Sequence, residues 1–205
     1  MNTMLAQGKE DRVLLSIFDQ IGTTNKVAVE FGALDGMHGS NTAHFRFTQG
    51  WWVELFDIAP LASIVHQAKI TAENINEIFT HYSIPREFDL LSIDIDGNDL
   101  WVWEALRFSP RVVVIEFNPK WGPTKARTVP YDPDRLWDGT NYYGASVLAL
   151  TRLGTRKGYD LAASTRSNLV FAQRGLMPAM DPVDVPRTKR QKRVDPLLRP
   201  WVEYQ

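Results

Sequence analysis

Acidic side chains are concentrated in one short segment of this chain, Asp94-Ile95-Asp96-Gly97-Asn98-Asp99, which ends an apolar run. Its three carboxylates repel one another, so a cation, bound protons or hydrogen bonds must offset their charge. A second polar pair, Glu116 and Asn118, ends another apolar run. If both runs are neighbouring parallel strands, the polar groups meet at one edge of a sheet. Oxygen ligands of this kind suit Mg²⁺ or another hard divalent ion.

The candidate metal ligands are therefore Asp94, Asp96, Glu116 and Asn118. The alternative is that some of these acids bind a cofactor or cap the helix that we expect to begin at Leu100.

A glycine-containing segment, residues 30–42, is the second candidate site. Its glycines let a backbone approach a ligand closely, and the amides of the following helix can receive a negative group. The spacing from Gly32 to Gly36 is Gly-x-x-x-Gly, which argues against a nicotinamide dinucleotide. Glu54 follows Gly36 by 18 residues, near the spacing at which an acid holds a ribose diol. Together these features favour a nucleoside-containing cofactor over a plain strand–helix turn.

The composition narrows the classes of function. The chain has 205 residues, enough for one domain with its own core. It has no cysteine, which excludes disulfides, cysteine-ligated zinc, iron–sulfur clusters and a thiol nucleophile. Its 23 basic and 24 acidic residues nearly balance, so we expect neither nucleic acid nor a membrane as partner. The start lacks a signal peptide pattern, and we expect a cytoplasmic protein.

Helices and strands alternate in the predicted secondary structure. Apolar spacing predicts helices over residues 9–21, 42–47, 60–69, 71–82, 100–108 and 145–153, and strands over 26–31, 51–56, 88–95, 111–117, 159–163 and 169–172. This order predicts an α/β fold: an open, mostly parallel sheet with helices on both faces and a C-terminal hairpin. Residues 1–175 form the single domain, and 176–205 form a proline-rich, basic C-terminal arm.

Two further segments lie outside this regular pattern. Residues 118–141 form a long loop, whose aromatic side chains either stack on an acceptor or pack the loop down. The arm carries five basic residues between Arg187 and Arg193; flanking acids favour a solvated arm over a nucleic-acid site. The arm could also wrap a neighbouring subunit and make a homo-oligomer.

The combination of these motifs resembles S-adenosylmethionine-dependent methyltransferases. The segments that carry the resemblance are Val29–Gly36 with Ser40-Asn41-Thr42, the acid Glu54, and Asp94–Asp99. Within the class I, Rossmann-like enzymes, the chain is most similar to the FkbM-like family over residues 25–172. Aspartates stand here where that family has glutamates in its Asp-x-Glu-Gly-x-Glu segment. The family fold has a third strand after Glu54, which the sequence predicts to be reduced or missing.

The resemblance implies a site and an activity. The expected cofactor is S-adenosyl-L-methionine, and Mg²⁺ is a candidate second cofactor. The residues implied to bind the former are Glu30, Gly32, Ala33, Asp35, Gly36, Ser40, Asn41, Thr42, Glu54 and Asp94, with the region of Glu73 and Asn74 on the adenine side. The expected reaction is O-methylation of a hydroxyl on a small molecule or sugar.

Two residues are candidates for catalysis. His38 is the candidate general base by residue type, and Asp96 is the catalytic candidate that acts as a metal ligand. Two other functions stay open. Asp94-Ile95-Asp96 is similar to the Asp-x-Asp of metal-dependent glycosyltransferases, and the reduced third strand would suit a non-catalytic binding module.

Overall fold

A seven-stranded mixed sheet forms the centre of the protein. The computed structural model describes residues 6, 8–186 and 193–205. The strands are β1 (Val27–Phe31), β2 (Trp52–Asp57), β3 (His66–Gln67), β4 (Glu87–Ile93), β5 (Ser109–Glu116), β7 (Tyr159–Ser164) and β8 (Asn168–Gln173), and a small second sheet pairs β6 (Arg127–Thr128) with β9 (Val202–Glu203). The order in the large sheet is β3-β2-β1-β4-β5-β8-β7. Strands β1 to β5 are parallel, and the hairpin β7–β8 is antiparallel.

Helices cover both faces of this sheet, as expected for buried parallel strands. The helices are α1 (Glu10–Ile21), α2 (Ala43–Gln49), α3 (Ile75–His81), α4 (Asp99–Ala105) and α5 (Val147–Arg156). Helices α1 and α2 pack against Ala28, Leu90 and Val112 on one face, whereas α3, α4 and α5 pack against the alternating residues of the same strands on the other. The α/β class and the mostly parallel sheet are thereby confirmed. In the described part of the chain, no helix is long and apolar enough to span a membrane.

The third strand of the sheet is very short. β3 pairs in parallel with the end of β2, through Phe56 with His66 and Asp57 with Gln67. The connection, residues 58–65, contains turns and bends but no helix, and it is shorter than the roughly dozen residues of an ordinary parallel crossover. The predicted helix over residues 60–69 is therefore wrong, while the expectation of a reduced edge strand is confirmed.

The C-terminal segment returns to the domain. Residues Val202–Glu203 pair antiparallel with Arg127–Thr128 of the long loop. Arg199 donates hydrogen bonds to Asp138 at 2.6 Å and to both oxygens of Asp195. The expected long loop thus contains one strand of the small sheet, and the C-terminal segment supplies the other. The basic run falls mainly on residues 187–192, which lie outside the described residues.

A buried carboxylate holds the amino ends of the central strands together. Asp89 of β4 is fully buried and accepts hydrogen bonds from the backbone N–H groups of Thr24, Asn25 and Lys26, just before β1. Arg111 of β5 donates to it at 3.0 Å. Burial by itself raises the pKa of Asp89, but Arg111 and these N–H donors outweigh burial, and the pKa is lowered.

Replacing Asp89 tests this arrangement. We expect Asp89→Asn to cost about 3–5 kcal/mol of unfolding free energy, because Arg111 would keep a desolvated charge without its partner. The lowered pKa means that the folded state releases this proton more readily than the unfolded chain. The stabilisation is therefore present at neutral pH and is lost as pH falls through the folded-state pKa. Urea unfolding at pH 7 and at acidic pH measures both effects.

Asp160→Asn is the matched control, because its 3.5 Å pair with Arg174 is exposed and should contribute at most about 1 kcal/mol. Equal losses of stability in the two variants would contradict the assigned role of Asp89.

Candidate functional site

A cavity of about 350 Å³ lies at the carboxyl edge of the sheet. The ends of three adjacent strands line it, through Gly32 after β1, Asp57 at the end of β2, and Asp94 after β4. Residues 68–70, Pro133 and residues 135–137 form further parts of its wall. Ligands of open α/β sheets bind at this edge, and the volume is typical of a small-molecule site.

The backbone segments that follow β1 and β4 lie close together at this cavity. Gly32 has a positive φ of 73°, and a Cβ added there would lie 1.9 Å from the backbone carbonyl oxygen of Asp94. Any side chain at Gly32 would therefore push the end of β1 away from the segment that carries the acidic cluster. Glycine is required here both for the backbone angle and for the space.

Glu30 holds the segment between β1 and α2 in place through buried hydrogen bonds. It is buried, and it accepts hydrogen bonds from the Ser40 hydroxyl at 2.6 Å, the Asn41 N–H at 2.8 Å and the Thr42 hydroxyl. Burial raises the pKa of Glu30 even though these donors act in the opposite direction. The structure places Glu30, Ser40, Asn41 and Thr42 outside the lining of the cavity. These four residues connect the end of β1 to the start of α2.

The rest of the glycine-containing segment also lies beside the cavity rather than in it. Asp35 pairs with His38 Nδ1 at 2.6 Å. Hydrogen bonds from the side chain and the backbone N–H of His38, and from the Met37 N–H, lower the pKa of Asp35 to about 2. The His38 side chain is 79% exposed and does not line the cavity, so the structure does not support the predicted base.

Ala33 and Gly36 pack against neighbouring side chains and do not line the cavity. Ala33 is buried in a small cluster with Leu55 and Val65. A Cβ at Gly36 would lie 2.6 Å from Leu55 Cδ1, so this glycine lets the loop lie against β2. Neither residue lines the cavity.

The acid at the end of the second strand is Asp57, whereas Glu54, the acid that the sequence predicts to hold a ribose, lies within the strand. Glu54 lies within β2, paired in register with Val29, three positions before the strand ends. Its carboxylate accepts a hydrogen bond from Trp52 Nε1 at 2.7 Å and pairs with His66 Nε2 at 2.9 Å. The strand continues to Asp57, which lines the cavity. Asp57 accepts from the N–H groups of Leu34 and Ala59, each at 2.8 Å.

Three carboxylates of the predicted metal site do come together. Ligand oxygens of Asp94, Asp96 and Glu116 lie within 4.8 Å of one another. Asp96 has a φ of 55°, a conformation rare for a residue other than glycine. Asp99 closes the same turn by accepting from the N–H groups of Ile95 and Gly97, both at 2.9 Å. Burial, followed by the charge of Glu116, raises the pKa of Asp99 to about 7.

Asn118, the fourth predicted metal ligand, forms hydrogen bonds with the long loop instead. Its amide donates to the carbonyls of Asn141 and Tyr143, and its side-chain oxygen accepts from the Lys120 N–H at 3.0 Å. It therefore holds the long loop against the end of β5. The three carboxylates, without Asn118, are the residues that could hold a divalent ion.

Other expectations concern the adenine side and the aromatic residues. Glu73 accepts a hydrogen bond from Tyr131, and Asn74 accepts from the Thr71 N–H at 2.8 Å. Neither lines the cavity, which is bordered instead by residues 68–70.

Among the aromatic side chains of the long loop, Trp137 lines the cavity. Trp121 and Tyr142 pack against Trp201 of the C-terminal segment.

Three charged residues that line the cavity, Asp57, Lys69 and Arg135, were not predicted from the sequence. Extending β2 to Asp57, just before the turn around Pro60, would have found the first. Nothing in the local pattern marks Lys69 or Arg135, because their position depends on how two loops fold over the sheet edge.

Comparisons with known proteins identify no relative. No model of a known protein family matches the chain, and no curated protein matches it significantly.

Substitution of Gly32 tests the close approach that forms the cavity. We expect Gly32→Ala to destabilise the protein by about 1–3 kcal/mol more than Gly50→Ala, because of overpacking against the Asp94 carbonyl. Gly50 is the matched control: its φ is 67° and nothing lies within 4 Å of an added Cβ. Urea unfolding of both variants measures the difference. Equal destabilisation would show that the backbone angle alone accounts for Gly32.

Addition of Mg²⁺ tests the carboxylate cluster. A cation held by Asp94, Asp96 and Glu116 stabilises the folded state by mass action, by about 2.7 kcal/mol at a concentration 100-fold above its dissociation constant. We expect Mg²⁺ to raise the melting temperature of the unaltered protein and to have no such effect on Asp96→Asn.

Asp134→Asn is the control for the loss of one negative charge, because Asp134 is exposed and pairs with Lys69. An unchanged melting temperature of the unaltered protein in Mg²⁺ would contradict the metal site.

Proposed function

We propose that this chain is an S-adenosylmethionine-dependent methyltransferase that transfers a methyl group to a hydroxyl of a small molecule or sugar. The observation that carries the proposal is the cavity at the carboxyl edge, lined together by Gly32, Asp57 and Asp94. These residues come from the ends of three adjacent parallel strands. The resemblance in the sequence implies a cofactor at this edge, and the seven-stranded sheet with an antiparallel hairpin supports it.

Asp57 is the residue best placed to hold a ribose. Each of its oxygens already accepts one backbone N–H. A carboxylate offers about four lone-pair positions, so each oxygen retains the capacity to accept from one hydroxyl. The two existing hydrogen bonds fix the orientation of the carboxylate before a ligand arrives, which lowers the entropic cost of binding.

An apolar part of the cavity suits the adenine of the cofactor, and an acidic part suits its sulfonium. Ile58 follows Asp57, is 46% exposed and lines the cavity with Ala68 and Ile70. These apolar groups can cover a flat heterocycle. At the other end, Asp94 lies beside Gly32, and its negative charge suits the positively charged sulfonium. S-adenosylmethionine supplies an activated methyl group when it is bound.

The chain must also activate the acceptor hydroxyl. A hydroxyl is a poor nucleophile at neutral pH, and it needs a base or a cation. Asp96 lines the cavity, whereas His38 does not. We therefore assign the base or metal-ligand role to Asp96. With a methyl donor bound, Asp96 would accept the proton that the acceptor hydroxyl loses, or would hold a cation that lowers the pKa of that hydroxyl.

The glycosyltransferase is the second candidate, because Asp94 and Asp96 line one cavity. It predicts binding of a uridine diphosphate sugar with a divalent ion rather than of an adenosyl ligand. The short β3 is the observation that favours a binding module without catalysis.

Calorimetric titration with S-adenosylhomocysteine tests the proposal. We expect micromolar binding to the unaltered protein. Asp57→Ala should weaken it by one to two orders of magnitude, because two ribose hydroxyls lose their acceptor. Glu54→Gln should bind as the unaltered protein does, since Glu54 lies within the strand and outside the cavity lining.

The melting temperature of each variant without ligand serves as the control for folding. Absence of binding to the folded, unaltered protein would overturn the methyltransferase assignment, and binding of a uridine diphosphate sugar in its place would favour the glycosyltransferase.

A further inference from the structure

The charges that line the cavity are unevenly compensated. Asp57, Asp94 and Asp96 supply negative groups, and the cations are Lys69 and Arg135. Lys69 is paired with Asp134 at 2.9 Å. Arg135 forms no ion pair with any residue in the ranges that the structure describes. Of the two cations in the cavity lining, Arg135 is therefore the one without a direct ion pair among the described residues.

The surroundings of Arg135 fix its position without satisfying its donors. Its Cδ lies so near Gly97 that a Cβ there would approach it to 2.9 Å. The guanidinium lies 5.1 Å from the centre of the Tyr142 ring. It donates to the Pro130 carbonyl over a long 3.4 Å. Its Nε is buried and has no hydrogen-bond partner. Arginine carries five N–H donors, and the guanidinium is engaged by the Pro130 carbonyl and the Tyr142 side chain, so donors stay available for a ligand.

We propose that Arg135 recognises an anionic group, a carboxylate or a phosphate, on the acceptor substrate. A planar guanidinium pairs with such groups through two parallel hydrogen bonds. Asp94 and Asp96 would repel an anion that entered the same cavity, so binding needs a cation that is not already paired. The acceptor class is then a small molecule that carries both a hydroxyl and an anion. This inference rests on the proposed function.

The neighbouring wall narrows the acceptor further. Trp137 and Leu136 line the cavity beside Arg135 and are 43% and 66% exposed. An exposed indole next to an arginine suits a flat ring that carries a carboxylate, because the ring can stack while the carboxylate pairs. A hydroxybenzoate is thus a suitable probe of the site.

A matched pair of probes tests the proposal. We would titrate the protein with 3,4-dihydroxybenzoate and with its neutral amide, 3,4-dihydroxybenzamide, each with and without S-adenosylhomocysteine. We expect the unaltered protein to bind the benzoate about tenfold or more tightly than the amide, since only the carboxylate forms charge-assisted hydrogen bonds with the guanidinium. Arg135→Gln should abolish this preference, and Arg135→Lys should retain part of it.

Lys69→Gln is the matched control, because it removes the same charge from the same cavity but at a cation that is already paired. It should keep the preference. A purely structural role for Arg135 would weaken both probes equally in Arg135→Gln. That result would overturn the proposal, as would a benzoate that fails to bind the unaltered protein or binds no better than the amide.

The adenosyl ligand separates this inference from the proposed function. If S-adenosylhomocysteine binds and the benzoate preference is absent, only the acceptor class is wrong. If the preference depends on Arg135 but S-adenosylhomocysteine does not bind, the anion site stands and the methyltransferase assignment fails.

Discussion

The contact between Gly32 and the backbone of Asp94 is the constraint on which the candidate site depends. Adjacent parallel strands β1 and β4 bring their carboxyl ends to one edge, but side chains at those ends would normally keep the following loops apart. Glycine at position 32 removes that barrier, and the loop after β1 then lies against the turn that carries the acids. The cavity forms at this junction, and Glu30 fixes the same loop from inside by binding the start of α2.

The carboxylates at the two edges of the sheet have different surroundings. At the amino edge, Asp89 has several hydrogen-bond donors and Arg111, and the arrangement serves stability. At the carboxyl edge, Asp94, Asp96 and Glu116 lie close together, and the pKa of Asp99 is raised beside them. Concentrating like charge costs stability, and such sites are functional candidates because a ligand can offset the repulsion.

The sequence predicts the alternation of elements well, because each buried strand is a short apolar run bounded by glycine, proline or polar residues. The approach of Asp94, Asp96 and Glu116 was also predictable, because the ends of adjacent parallel strands share an edge. The acid that lines the cavity at the end of β2 was not, since its identity depends on where the strand ends. Asp57 at the end of the strand lies three positions after Glu54 within it, and neither apolar spacing nor composition distinguishes them.

The loops account for the rest of what the sequence could not predict. Residues 60–69 contain helix-compatible apolar spacing, yet the segment becomes turns and the two-residue strand β3. Pairing with β2 outweighs local preference there. The wall that carries Arg135 depends on contacts between residues far apart in the chain, such as those of Arg199 with Asp138 and of Asn98 with the Asp132 carbonyl. Local patterns carry no information about contacts of that separation.

A crystal structure of the protein in complex with S-adenosylhomocysteine would test most directly the central claim, that an adenosyl ligand binds in the carboxyl-edge cavity. The account predicts density for the ligand in the carboxyl-edge cavity, with both ribose hydroxyls within hydrogen-bonding distance of Asp57 and the sulfur nearer to Asp94 than to Ile58. Ligand density at any other place on the protein, or a cavity that stays empty at saturating ligand, would contradict it.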